Sequence, residues 1–341
     1  MCDYTLEMRL ILPIVLLVAC TPDDDEKKGV KDTNDRTVAG DTDTDDTDTD
    51  GDTDSDPTGP TTDYDCTLPF PQPPFQVNSH DIQTQEDFDF ATGGYLVYQY
   101  GVAVVGTTVQ GVNTVLSPGA AGDPRGVHGL ADGRIVIMSP WDGSIKIANP
   151  ATNGLDVLAG GLNTPNGVEV DLNDRIYFTS YGEVGWTEPD GSDKQVIADW
   201  GQGFTQANGI ALSPDEQLLT VAVPTLSNTE FVTIERLGPD DWGNVQTLHD
   251  VPGFFSTLDT DVCGNVYTVD YNSGDLWRIL TDGTAEQLGS LNGQGIWGFS
   301  AMRFGPGQGG WERDRLYVTK RNTEVFEIDI GIPGRRHPTT P

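Results

Sequence analysis

Basic residues are scarce in this chain: 19 Lys and Arg stand against 53 Asp and Glu, a formal net charge of −34. Nucleic acid and anionic membrane surfaces are recognised by clustered Lys and Arg, so neither is expected as a partner on electrostatic grounds. Cysteine is also rare, with Cys2, Cys20, Cys66 and Cys263 alone. None sits in a CxxC pair or a Cys/His cluster, which argues against a cysteine zinc site. The apolar run Leu10–Ala19 is too short to span a bilayer stably. Sustained helical spacing is missing after Phe75, and no GxSxG, phosphate loop or nucleotide motif occurs.

What is present begins with an address. Leu10–Ala19 has the length of the apolar core of a secretory signal, and it ends in Leu17-Val18-Ala19-Cys20. That ending resembles the lipobox of bacterial lipoproteins, which implies a signal peptide over 1–19 and a diacylated Cys20 as the first mature residue. Asp3 and Glu7 before Arg9 are unusual ahead of such a signal, so Met8 is an alternative start. Thr21 follows the cysteine where an inner-membrane retention signal carries Asp. The resemblance therefore implies a cell-envelope protein held by its lipid, with the outer membrane favoured.

Residues 20–65 are dominated by Asp and Thr. Such a segment has little apolar surface to offset ordering entropy, and its carboxylates repel one another, so a disordered tether is expected. Asp46-Thr47-Asp48-Thr49-Asp50-Gly51 matches the first half of a calcium loop, but the final ligand position falls on Pro57 and no flanking helices are apparent. A solvated linker is the better reading.

The remaining chain, roughly 275 residues, is ample for one large β domain. It alternates short runs of Val, Ile, Tyr and Phe with Gly, Asp, Asn and Pro. One unit runs from Asn166-Gly167-Val168 to Ile176-Tyr177-Phe178, and another from Asn208-Gly209-Ile210 to Leu218-Leu219. The equivalent slots fall at 86, 125, 166, 208, 256 and about 300, with spacings of 39, 41, 42, 48 and 44. Repeats of this length suit four-stranded blades, so an all-β, six-bladed β-propeller is predicted over 66–335, with 336–341 as a flexible C-terminus. Asp-Gly pairs such as Asp190-Gly191 and Asp282-Gly283 mark outer hairpins. A monomer is expected. Cys66 and Cys263 are the only cysteines of this part and are read as one disulfide fixing the end of the tether to the face away from the slots, two unpaired thiols being the alternative.

A slot at the start of each innermost strand forms a ring at one mouth of the propeller channel. The ring comprises Glu86, Arg125, Asn166, Asn208, Ser256 and Ser300. A carboxylate and two amide oxygens make a candidate site for a hard divalent cation, calcium first. The sequences around Asn166-Gly167 and Asn208-Gly209 resemble the paired Asn-Gly motifs of the senescence-marker-protein/gluconolactonase-like (regucalcin-like) six-bladed propellers, over about residues 84–330. The resemblance implies an axial divalent metal held by Glu86, Asn166 and Asn208, and hydrolysis of a lactone or small ester. It also implies an Asp in the fifth blade as ligand and base, where this chain has Ser256; the catalytic base is thus unassigned. Asp259 is a candidate substitute, although strand alternation turns it to another face.

Competing readings stand beside these. Asn-Gly also recurs as turn chemistry, and a surface propeller that binds a protein, glycan or small ligand without catalysis fits the same ring. Arg125 is a candidate for an anionic substrate group or for a salt bridge with Glu86. His128 is the one histidine in an inner-strand segment, read as packed or solvated with general base as the alternative. His80, His249 and His337 have no partners at ligand spacing.

Overall fold

A computed structural model describes residues 64–119, 124–225, 227–291 and 297–339. The signal segment, Cys20, the Asp46–Gly51 motif and nearly all of the tether lie outside these residues.

The described strands form six four-stranded antiparallel sheets. The first five run in simple meander order. Their innermost strands are β2 (Phe88–Ala91), β6 (Val127–Gly129), β10 (Val168–Val170), β14 (Ile210–Leu212) and β18 (Asp259–Thr260). Each is followed by three strands stepping outward, ending at β5 (Asn113–Ser117), β9 (Gly154–Ala159), β13 (Gln195–Asp199), β17 (Trp242–Pro252) and β21 (Ala285–Ser290). The sixth sheet is built from both ends of the domain. β22 (Phe299–Phe304), β23 (Arg315–Lys320) and β24 (Glu324–Asp329) supply three strands, and β1 (Val77–His80) pairs with β24, with Val77 opposite Ile328. The chain is an all-β six-bladed propeller, as its repeat spacing predicts. The β1 closure was not legible in the repeats, because β1 precedes the first slot.

Apolar side chains at alternate strand positions pack blade against blade. Tyr177, Tyr267 and Tyr317 are each wholly buried on the second strand of their blade. Burying a phenol calls for a hydrogen-bond partner. Tyr177 and Tyr267 donate to Asp171 and Asp261, whose other carboxylate oxygens accept backbone N–H groups of the turn between the first and second strands. One aspartate thus both shapes the turn and holds the phenol.

The glycine after each of three slots has a definite cause. A Cβ at Gly126 would lie 2.4 Å from the carbonyl oxygen of Asn166, at Gly167 2.2 Å from that of Asn208, and at Gly209 2.9 Å from that of Ser256. None of the three has positive φ. Turn freedom therefore does not account for Asn-Gly here: the glycine lets the next blade's backbone approach.

Cys66 and Cys263 form a disulfide, S–S 2.05 Å. Cys263 lies in the turn after β18, at the opposite end of that strand from Ser256. Residues 336–339, expected to be a flexible end, are instead packed, with Thr339 buried.

Gly167→Ala should destabilise the domain by about 1–3 kcal/mol through this overlap. Gly160→Ala, where an added Cβ meets nothing within 4 Å, should change stability by less than about 0.5 kcal/mol. Urea midpoints of both variants check the contrast.

Candidate functional site at the channel mouth

All six slot residues line one open pocket of about 230 Å³. Backbone pairing explains their convergence. Asn166 N donates to Thr179 O, Asn208 N to Ala222 O and Arg125 N to Met138 O, so each slot continues the innermost ladder toward the axis. Phe254 and Tyr271 supply aromatic wall, and no tryptophan lines the pocket among the described residues. Asp87 and Arg303 lie deeper, and Arg321 enters from the hairpin between β23 and β24.

The charges in this pocket are already engaged. Glu86 Oε2 lies 2.8 Å from Arg321 Nε, and Glu86 Oε1 lies 3.6 Å from Arg125 Nη1. Ser300 Oγ donates to the backbone oxygen of Glu86. Sequence reasoning anticipated the Arg125 pair as an alternative but missed Arg321, which stands outside the repeat phase.

A divalent cation held by Glu86, Asn166 and Asn208 can be tested against this arrangement. Glu86 is the only carboxylate among the six ring positions, and two guanidiniums sit beside it. The fifth-blade position offers the neutral hydroxyl of Ser256. Asp259 does not line the pocket; it lies below, accepting N–H groups from Thr260 and Phe304. As folded, this donor set does not fit calcium, which calls for carboxylate charge free to meet the ion.

Asp87 is the other carboxyl lining the pocket among the described residues. Burial pushes it up to about 6, against the lowering influence of Arg303 and of the N–H groups of Val127 and Phe88. A carboxyl with that value in an open pocket is a candidate base.

Below the mouth lies a second ring that sequence reasoning did not assemble. Three residues after the slots come Asp89, His128, Glu169, Ala211, Asp259 and Arg303. All are buried. His128 sits between two carboxylates, Nδ1 3.1 Å from Asp89 and Nε2 3.2 Å from Glu169. Arg303 donates to Leu258 O and Met302 O and faces Asp87 and Asp89 at 3.9 and 3.7 Å. The C-terminal segment meets this ring. Arg335 pairs with Glu169 and donates to Val170 O, while His337 Nε2 lies 3.1 Å from both oxygens of Asp89. Asp89, His128 and His337 form the one group of three such side chains among the described residues whose ligand atoms are spaced to hold a metal ion, all within 4.8 Å of one another. The constant offset from the slots could have revealed the ring; His337 has no such phase.

Burial raises Asp89 and Glu169, yet their neighbours prevail. His128 and His337 hold Asp89 well below the ordinary carboxylate range, and Arg335 with His128 brings Glu169 down to about 2. Asp259 goes the other way: burial pushes it up to about 6, with Arg303 opposing. His128 is raised because Asp89 and Glu169 outweigh its burial, whereas burial lowers His337.

No family model matches the chain, and no curated protein matches it. Solved structures do. A gluconolactonase from Xanthomonas campestris is similar with a TM-score of 0.62 and 21% identity, covering 76% of this chain and 90% of that one. A proposed gluconolactonase solved by structural genomics gives 0.61 and 18%, covering 79% and 96%. A chain of a nidogen/laminin complex gives 0.57 and 18%, covering 70% and 90%. At these identities the likeness is one of fold, and that fold occurs both in a gluconolactonase and in a nidogen/laminin complex.

Two outcomes follow from the charge arrangement. Asp259, with its folded value raised above the unfolded 3.8, contributes stability that is complete below about 3.8 and lost as pH rises through about 6. The chain should lose about 2 kcal/mol on this account between pH 4.5 and 7.5, and Asp259→Asn should flatten that decline in urea titrations. Calcium should show no saturable mouth binding by calorimetry, whereas Arg321→Ala combined with Ser256→Asp should create it at about one ion per chain.

Proposed function

We propose that this chain is an exported propeller that takes a small oxygen-rich molecule into the mouth pocket and hydrolyses a lactone or small ester there. The observation that carries the reading is the convergence of all six slots on one open pocket containing Asp87, whose carboxyl is pushed up to about 6 by burial. Above that pH Asp87 is ionised and takes a proton from a water as its oxygen attacks the substrate carbonyl; the acyl C–O bond then breaks and Asp87 returns the proton to the departing alkoxide oxygen. The amide N–H groups of Asn166 and Asn208, with Arg125, are the donors available to the developing oxyanion. Asp87 thereby stands in for the fifth-blade carboxylate that Ser256 replaces. The likeness to gluconolactonases in fold supports the substrate class without fixing the lactone.

A binding propeller without catalysis is the second reading. It is favoured by Ser256 and by the engagement of Glu86 with Arg321, which make the mouth a fixed polar basin. On either reading the chain acts as a monomer and meets its ligand outside the cytoplasm. The Leu17–Cys20 sequence supports attachment to the membrane by lipid on Cys20 in the envelope. Mass spectrometry of the N-terminal peptide should find a diacylglycerol there, and an unmodified Cys20 in membrane-extracted protein would refute it.

The deciding experiment is a lactone screen by acid release, with wild type beside Asp87→Asn. Hydrolysis of at least one lactone, reduced about 10²- to 10⁴-fold in kcat by Asp87→Asn with ligand binding retained, is the expected outcome. A lactone or hydroxy acid that binds saturably but is never turned over would place the chain in the binding class.

A further inference from the structure

We propose that Asp89, His128 and His337 form a binding site for a zinc-class divalent transition metal that fastens the C-terminal segment inside the channel. The site lies below the mouth pocket and stands independently of what the mouth binds.

The donor set and its supports carry the inference. Two imidazoles and one carboxylate present ligand atoms that all lie within 4.8 Å of one another. The spacing needs only a modest contraction to place three donors about 2.0–2.2 Å from one ion. The two rings are stacked, with centroids 4.9 Å apart and planes within 3°. Each turns one nitrogen to the same Asp89 carboxylate. The other nitrogen of each is held by an oxygen: His128 Nε2 by Glu169 at 3.2 Å, and His337 Nδ1 by Thr339 Oγ1 at 2.6 Å. A histidine with one nitrogen fixed by an outer oxygen and the other aimed at a shared centre is the arrangement of a metal ligand. His128 Nδ1 also lies 2.9 Å from Gly129 O, a contact the ion would replace.

Charge points the same way. The carboxyl groups of Asp89, Glu169 and Asp259 are buried and that of Asp87 is nearly so; besides the two imidazoles, the cationic groups they face are the guanidiniums of Arg303 and Arg335. Four carboxyl groups thus stand against two guanidiniums, and a cation held by the two histidines and Asp89 enters acid-rich surroundings. Arg303 remains an outer partner of Asp89 at 3.7 Å. Imidazole nitrogen selects zinc-class metals over calcium, whose ligands are oxygens.

The consequence is mechanical. His337 is the one ligand that comes from outside the blades, and Thr339 Oγ1, which orients it, also donates to Phe90 O. Gln308 donates to Thr339 O from the sixth blade. A metal at this point converts these contacts into a lock on the tail.

The test uses the purified full chain, stripped of metal and titrated with zinc by calorimetry, with cobalt absorption as a report on nitrogen ligation. Expected are one zinc per chain, visible cobalt bands, and slower carboxypeptidase trimming of the C-terminus when zinc is bound. His337→Ala should weaken zinc at least about 100-fold and abolish the protection, while its circular dichroism shows a folded propeller. His249→Ala, remote from the cluster, should leave both unchanged. Absence of zinc binding in the wild type, equal affinity in His337→Ala, or displacement of zinc by equimolar calcium would overturn the assignment. Because His337 belongs to the tail and not to a blade, its substitution separates loss of the ion from loss of the fold.

Discussion

The constraint on which the structure depends is the close approach of neighbouring blades at the start of their innermost strands. Where Gly167 meets the carbonyl oxygen of Asn208, there is no room for a side chain. The same contact recurs one blade earlier and one later. Because the backbones touch there, the residue just before each glycine is carried to the channel rim, and Arg125, Asn166 and Asn208 arrive at one mouth. The geometry that closes the ring thus also assembles the pocket. A propeller that opened at this contact would lose its site before it lost its sheets.

The cost of a closed ring is a narrow interior that backbone cannot fill. Here it is filled with ionisable groups, each of which is expensive to remove from water unless it is paired. The blades supply more acid than base to the second ring, since Asp89, Glu169 and Asp259 are answered there by Arg303 and His128 alone. Arg335, contributed by the C-terminal segment, meets Glu169 and is part of the solution. The tail is therefore integral to the electrostatics of the channel, which explains why residues 336–339 are packed although their composition suggests a loose end. The disulfide at Cys263 acts close by, since the neighbouring Val262 N–H donates to Pro333 O.

How much of this was legible in the sequence follows from phase. Slots spaced by about one blade hold Glu86, Asn166, Asn208 and Ser256, which line one pocket because a repeat preserves the position of a residue relative to the axis. The same offset, read three residues further, contains Asp89, His128, Glu169, Asp259 and Arg303. What no periodicity could supply were residues delivered by unrepeated segments. Arg321 comes from one hairpin, His337 and Arg335 from the tail, and β1 from ahead of the first blade. Those segments decide the chemistry: Arg321 changes Glu86 from a free carboxylate into half of an ion pair, and His337 changes His128 from a packed histidine into one member of a cluster.

The two ends of the channel consequently sort ligands by different physics. The mouth is open, carries guanidiniums and neutral amides, and engages its one ring carboxylate internally, so it favours neutral or anionic oxygen-bearing molecules over hard cations. The interior is shielded from water, rich in carboxylate and provided with two imidazoles, so it favours a borderline metal over either calcium or an organic ligand. Arg303 stands between them, touching Asp87 of the mouth and Asp89 of the interior. Any change that moved charge at Asp89 would be felt at Asp87 through this one guanidinium, because Arg303 and Asp89 are buried and Asp87 is nearly so, which leaves little water to screen either pair. The residue that best links pocket chemistry to channel occupancy is thus Arg303, which bears on both carboxylates while lying in the second ring.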